Sequence, residues 1–246
     1  MRLASRAIVL SRNGFGEADQ YIEFLTLEWG IITALARSAR KSKRRYAGGL
    51  DLFCHDEIFL RGNPRERPYL TELTVLNSFL GLRDRLERIT MAGKLAQWVR
   101  KLPEPGTPVP GIFSLLGQTL AVIEKEEDAE KLELLGLVFK LKLLAQLGLK
   151  PQVEICVKCE SGLTGNASPI FDISSGGTLC RSCFSKGTTS EGHVTMPESD
   201  RIFLAQADSF RLTHWSGLEF PEERTRELQR VVTLFGTYHT HVRLPV

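Results

Sequence analysis

The stretch Tyr21-Ile22-Glu23-Phe24-Leu25-Thr26-Leu27-Glu28-Trp29-Gly30-Ile31-Ile32-Thr33-Ala34-Leu35-Ala36-Arg37 decides the fold of the front of the chain. Tyr21 to Glu28 and Ile31 to Arg37 are rich in β-branched and aromatic residues, and Trp29-Gly30 between them predicts a tight hairpin. Working outward, Ala7 to Ser11 is a short β-like run, and Asn13-Gly14-Phe15-Gly16 reads as a turn. On the other side, Phe53 to Arg61 and Tyr69 to Leu76 are two further strand candidates. Gly62 to Pro68 between them is a turn-rich, basic loop. Five short strands in fewer than eighty residues predict a small barrel, and the oligonucleotide-binding (OB) fold is the commonest barrel of that size.

Between the third and fourth strand candidates lies Arg37-Ser38-Ala39-Arg40-Lys41-Ser42-Lys43-Arg44-Arg45-Tyr46. It holds six positive charges between Arg37 and Arg45 and no acid. The net charge of +3 conceals the same bias. Residues 1–100 carry 17 Lys/Arg against 11 Asp/Glu, and residues 101–246 carry 15 against 18. A basic front half suits a polyanionic partner. Phosphates need cations along a track, and open bases need aromatic platforms. Arg37, Arg40, Lys41, Lys43, Arg44 and Arg45 are therefore the candidate nucleic-acid contacts. Tyr46, with Phe24 and Tyr69 of the barrel strands, is a candidate platform. The competing readings are a solvated loop or a patch for an acidic protein.

Past Asn77 the period changes to helical. Leu82, Leu86, Ile89, Leu95 and Val99 mark a first helix through Arg100. Pro103, Pro105, Pro108 and Pro110 form a stiff connection. Ile112 to Ile123 and Lys131 to Leu147 are the second and third helices, and Gly148 and Pro151 stop the third. Pro197 to Ala205 and Pro221 to about His241 are two more, the last with Glu222 and Glu223 where the helix dipole favours acids. Leu132 to Leu149 is the most apolar segment, but Lys140 and Lys142 interrupt it, so it predicts a buried helix rather than a membrane span. Without a signal-peptide core near Met1, the expected location is cytoplasmic and nucleoid-associated.

Cys156-Val157-Lys158-Cys159 and Cys180-Arg181-Ser182-Cys183 are two Cys-x-x-Cys pairs separated by twenty residues. Each tight turn aims two sulfurs at one point, and two such turns complete a tetrahedron. The spacing fits a structural zinc site with Cys156, Cys159, Cys180 and Cys183 as ligands. Disulfides would need an oxidising compartment. Four thiolates leave no position for a catalytic water. Cys54, in an apolar strand, is expected as a buried filler. His55-Asp56-Glu57 has the H-x-E form of zinc deaminases, but it lies about a hundred residues from Cys156 and would leave Cys180 and Cys183 without a role. No phosphate-cradling Gly-Lys loop, G-x-S-x-G or paired-carboxylate constellation stands out, so an enzyme is not expected.

The ordered set of parts resembles the RecO family of bacterial recombination mediators and DNA repair proteins. It is carried by Ala7-Ile8-Val9-Leu10, Gly16-Glu17-Ala18-Asp19, Leu25-Thr26-Leu27-Glu28-Trp29-Gly30, the basic run and Leu52-Phe53. Further back it is carried by Leu147-Gly148-Leu149-Lys150-Pro151 before Cys156, and by Phe235-Gly236-Thr237-Tyr238-His239. The chain departs at Ser38, where the family usually has glycine, and ends early at Val242-Arg243-Leu244-Pro245-Val246. The resemblance implies an α+β chain. An OB barrel at 1–78 precedes a helical domain at 79–152 and 188–246, with a four-cysteine zinc-ribbon insertion at 153–187. It implies binding of single- and double-stranded DNA, annealing of complementary strands and help in loading the recombinase. The implied partners are RecR, the acidic C-terminal tail of the single-stranded-DNA-binding protein, and RecF. The alternative from the residues alone is a zinc-stabilised adaptor whose basic run binds an acidic protein.

Overall fold

The computed structural model describes residues 2–41, 45–46, 48–163, 169–184, 192–207 and 209–245. Chain contacts divide it into two units, Met1–Glu127 and Asp128–Val246.

The first unit begins with five strands, β1 (Arg2–Phe15), β2 (Asp19–Thr26), β3 (Gly30–Ala36), β4 (His55–Arg61) and β5 (Tyr69–Asn77). They close a barrel in the order β1-β2-β3-β5-β4, with β4 returning to β1. All pairs are antiparallel except β3 with β5. A closed five-stranded barrel of this size is the OB-type architecture expected from the strand count.

The barrel interior follows the period of two. Ile22 and Phe24, Ile32 and Ala34, and Ile58 and Leu60 alternate inward and form one core with Val9, Leu70 and Leu73. The run Ala7-Ile8-Val9-Leu10 is buried throughout, because β1 is covered on both faces. Ala7 and Val9 face the barrel core, while Ile8 faces the helix that carries Gly117. The register of β1 shifts between Val9 and Ser11, and that of β4 on β5 shifts at His55/Asp56 and Phe59/Leu60. Such bulges bend strands enough to close a small barrel.

Three local expectations are corrected. Asn13-Gly14-Phe15 is not a turn: it continues β1 against β2, and the chain reverses at residues 16–18. The β2–β3 turn comes earlier than Trp29-Gly30, at residues 27–29, where the Thr26 hydroxyl accepts from the Trp29 amide at 3.1 Å. Phe53 and Cys54 precede β4 rather than joining it. Phe53 takes a left-handed φ of 70°, and the Cys54 amide donates back to the Asp51 carbonyl at 3.2 Å.

Two helices complete the first unit, α1 (Leu86–Lys101) and α2 (Pro110–Ile123). The start of α1 is later than the periodicity predicts, because residues 80–83 form a 3-10 turn held by Arg88, whose Nη1 donates to the Gly81 carbonyl at 3.1 Å. Pro110 sits in the first turn of α2, where its missing N–H costs nothing. Phe113 of α2 packs edge-on against His55, with ring centroids 5.6 Å apart.

The second unit is built on α3 (Ala129–Gln146). Asp128 caps it, accepting from the amides of Glu130 and Lys131 at 2.8 and 3.4 Å. Leu132, Leu135, Val138, Phe139 and Leu143 are buried, as is Lys140, whose ammonium donates to Gln229. A small sheet follows, from β6 (Ile170–Asp172), β7 (Gly177–Leu179) and β8 (His193–Thr195) in the order β7-β6-β8, with a short α4 (Arg181–Phe184) between. Two helices close the unit, α5 (Glu198–Gln206) and α6 (Glu222–Thr240). Leu228, Val231, Val232 and Phe235 form the buried stripe of α6, and Arg224 reaches the buried Asp200 of α5 in an ion pair. Among the described residues no helix is long and apolar enough to cross a membrane.

Candidate nucleic-acid interface and metal cluster

One row of residues crosses the outside of the barrel. Tyr21 of β2 stands opposite Leu35 of β3, Leu35 opposite Tyr69 of β5, and Tyr69 opposite Arg61 of β4. Residues opposite one another share a face. Their neighbours Ile22, Ala34, Leu60 and Leu70 are in the core, so this row points outward. Arg37, one residue past β3, joins it. Its guanidinium lies over the Tyr69 ring, 4.6 Å from the centroid, and Nη2 donates to the Tyr69 hydroxyl at 3.3 Å. Arg37, Arg45, Arg61, Tyr69, Leu70 and Thr71 line a cavity of about 460 Å³. Among the described residues its lining has three guanidiniums and no carboxylate.

The β4–β5 loop adds to the same surface. Arg67 places its guanidinium 5.9 Å from the centroid of Tyr21, and Tyr21 packs against Phe15 with centroids 4.9 Å apart. Phe15 is half exposed. The turn after β3 is anchored to the β1–β2 hairpin. The Ser38 amide donates to Asp19 Oδ1 at 2.7 Å, and the Arg40 amide to the Ala18 carbonyl at 3.0 Å. The Arg40 guanidinium lies against Gly14, in the space a Cβ would take.

This mixture of rings and guanidiniums suits a single nucleic-acid strand. Guanidiniums pair with phosphates, and exposed rings stack on bases. An exposed cation–π contact such as Arg37 on Tyr69 is worth about 0.5–1 kcal/mol. A base on an aromatic ring is worth about 1–3 kcal/mol, so a base can displace the arginine.

In the second unit the Sγ atoms of Cys156, Cys159, Cys180 and Cys183 all lie within 4.8 Å of one another. Cys159 and Cys180 have their sulfurs 3.7 Å apart. Four thiolates about 2.3 Å from one zinc would have sulfur–sulfur edges of about 3.8 Å. All five cysteines of the chain are free thiols. The local backbone explains the approach. The Cys180 amide donates to Cys156 Sγ at 3.3 Å, and the hydroxyls of Ser161 and Ser182 lie 3.1 Å from Cys159 Sγ and Cys180 Sγ. Hydrogen bonds from the Ser182 hydroxyl and the Cys183 amide pull the Cys180 thiol down to about 6, while hydrogen bonds to Cys159 and Cys180 push the Cys183 thiol up to about 12. Cysteines bind zinc as thiolates, so metal binding to such a cluster releases protons. The four cysteines can therefore hold a metal ion.

Two family models match the chain end to end. "Recombination protein O N terminal" covers residues 1–79, and "Recombination protein O C terminal" covers residues 83–245. The chain belongs to the RecO family. It is 34% identical over 239 residues to a DNA repair protein RecO of Myxococcus xanthus, covering 97% of this chain and 92% of that one. It is 30% identical over 249 residues to the DNA repair protein RecO of an Anaeromyxobacter species, covering 99% and 93%. To that of Dehalococcoides mccartyi strain 195 it is 32% identical over 180 residues, covering 73% and 69%.

Within this RecO-family barrel the basic run is only partly gathered. Arg37 and Arg45 reach the cavity, Arg40 lies on Gly14, and Lys41 is exposed in the following turn. Lys43 and Arg44 lie outside the described residues. Tyr46 requires a correction as a stacking platform. It is buried in the barrel core, and its hydroxyl donates to the carbonyls of Leu70 and Arg37 at 3.2 and 3.4 Å. An aromatic that fills the barrel has no face left for a base. Phe24 is buried for the same reason. Tyr69 is the exposed one. Arg61 and Arg67, in the following strand and loop, belong to the surface as well. The sequence offers Arg61 and Arg67 only as a second choice, and the cross-strand register brings Arg61 beside Tyr69.

Cys54 is buried, as expected, with its thiol pushed up by burial and by the neighbouring Asp56. Asp56 itself points into the barrel. Among the described residues neither of its carboxylate oxygens has a hydrogen-bond partner, and burial pushes its carboxyl up to about 7.

Proposed function

We propose that this chain is a DNA-binding recombination mediator in DNA repair, holding single- and double-stranded DNA on the outer face of its barrel. The observation that supports the reading is the arginine-lined cavity beside Tyr69 in a chain of the RecO family. On this reading Arg37, Arg45 and Arg61 neutralise phosphates of the strand, with Arg40, Lys41, Lys43 and Arg44 on the adjoining turn. Phosphate contacts carry no sequence information, so binding is general. Annealing two complementary strands needs their charge screened and their bases accessible, and no catalytic group. On this reading the protein acts as a mediator rather than an enzyme.

Cys156, Cys159, Cys180 and Cys183 would hold one zinc ion. A closed site of four cysteines supplies folding energy and no reactive water. Among the described residues the core around the cysteines is a small cluster with Leu163 and Leu179, and a small core is where a structural metal matters most. Recombinase loading with RecR, docking of the acidic tail of the single-stranded-DNA-binding protein and contact with RecF complete the proposal. These partners, and a cytoplasmic, nucleoid-associated location, rest on the family relationship.

The test is strand annealing. Complementary labelled oligonucleotides should pair faster with the protein present. Replacing Lys41, Lys43, Arg44 and Arg45 together with Ala should slow annealing and weaken binding to all sequences alike. Annealing and DNA affinity that both stay at wild-type levels would favour the adaptor with an acidic protein partner instead.

A further inference from the structure

We propose that the cavity lined by Arg37, Arg45, Arg61, Tyr69 and Thr71 receives one unpaired nucleotide, with its base stacked on the Tyr69 ring and its phosphate on Arg45 and Arg61. The proposal rests on the reading of this barrel face as DNA-binding. It adds a ring-stacking site that discriminates single strands from duplexes.

Three observations carry it. The cavity, about 460 Å³, is of the size that encloses a small ligand. It is far smaller than a phosphate-tracking groove for a duplex. Its chemistry is also mixed. Its lining combines an exposed aromatic ring with guanidiniums, which matches the base and phosphate of a single nucleotide. Finally, the ring already carries a flat, delocalised group, because the Arg37 guanidinium lies 4.6 Å from its centroid. A guanidinium in that position is a stand-in for a base.

The weaker cation–π contact gives way to the stronger base stack, and Arg37, exposed at the rim, is released toward the strand's phosphates. A base inside a duplex has both faces covered by its neighbours and cannot offer one to Tyr69 without leaving the stack. Tyr69 therefore contributes to single-strand affinity and not to duplex affinity. The arginines contribute to both.

The experiment measures fluorescence anisotropy of a labelled oligothymidine and of a blunt duplex of equal length with the full chain. Four proteins are compared with wild type: Tyr69→Ala, Tyr69→Leu, Tyr69→Phe, and the pair Arg45→Ala with Arg61→Ala. Tyr69 is a partly exposed strand residue, and leucine keeps apolar bulk on the strand should alanine impair folding. Removing the ring should weaken single-strand binding about 5- to 150-fold, the range that stacking on an aromatic supplies, and leave duplex binding unchanged. Tyr69→Phe should bind like wild type, since it keeps the ring and loses only the bond from Arg37. If single-strand binding is unchanged without the ring while the arginine pair weakens both ligands, no base stacks here although the face binds DNA. Equal losses for both ligands without the ring would also overturn the proposal. If the arginine pair affects neither ligand, the DNA-binding reading of this face fails first.

Discussion

The carbonyl oxygen of Thr107 occupies the space where a Cβ on Gly30 would stand. The Gly106 amide donates to the Ile31 carbonyl at 3.0 Å beside it. The proline-rich connection between α1 and α2 thus lies against the β2–β3 hairpin. Gly30 also has a left-handed φ of 63°, so this position requires glycine for two separate reasons. Gly30→Ala adds left-handed strain of roughly 1–2 kcal/mol to an overpacking cost of about 1–3 kcal/mol. Urea unfolding should show a midpoint lowered by the equivalent of about 2–5 kcal/mol with an unchanged slope. An unchanged midpoint would mean that the connection does not rest on the hairpin.

Ser38 is the opposite case. It holds a left-handed φ of 55° while its amide, which glycine would keep, donates to Asp19. Ser38→Gly removes the strain but frees the unfolded chain, which offsets part of the gain. A net rise of about 0.5–1 kcal/mol is expected, or about 1–4 °C in Tm for a chain of this size. A fall in Tm would show that the serine side chain contributes more than the strain costs.

Asp56 makes stability depend on pH in an unusual direction. Its carboxyl is raised to about 7 in the folded barrel by burial, above the ordinary carboxylate value it takes when unfolded. Between about pH 4 and pH 7 the folded form keeps a proton that the unfolded chain has released. Stability from this group is therefore fully present at acid pH and is lost as pH rises through about 7. The loss is on the order of 4 kcal/mol. Asp56→Asn cannot ionise. It should be more stable than wild type at pH 8 and approach wild type near pH 4. A difference between the two that does not change with pH would refute the assignment.

The metal site predicts one zinc per chain. Cys156→Ser should lose the metal, and hydrogen exchange should speed up across residues 152–184 while the barrel strands keep their protection. Full zinc content in that variant would remove Cys156 from the ligand set.

The parts of this fold that were legible in sequence are those set by local pattern. Strand alternation in Ile22-Glu23-Phe24 and the tight turn within each Cys-x-x-Cys pair act within a few residues; the alternation is reproduced, and the four sulfurs lie close together. The limits of β1 were not legible. Asn13-Gly14 is a strong turn signal, but β2 pairs along that stretch, and Gly14 instead makes room for Arg40. The site was half legible. Charge density marks the basic run, yet whether an aromatic faces core or solvent depends on the whole barrel. Tyr46 and Tyr69 look equivalent in sequence, and closure buries one and exposes the other. Arg61 reaches the cavity only through its register with Tyr69.

The measurement that bears most directly on the barrel as a DNA-binding face is the salt dependence of single-strand affinity. Each phosphate contact contributes about −0.7 to the slope of log affinity against log salt. Arg37, Arg45 and Arg61 replaced together with Ala should make the slope shallower by about 2 units and weaken binding to every sequence similarly. A triple variant with wild-type slope and affinity would contradict the assignment of this face to DNA.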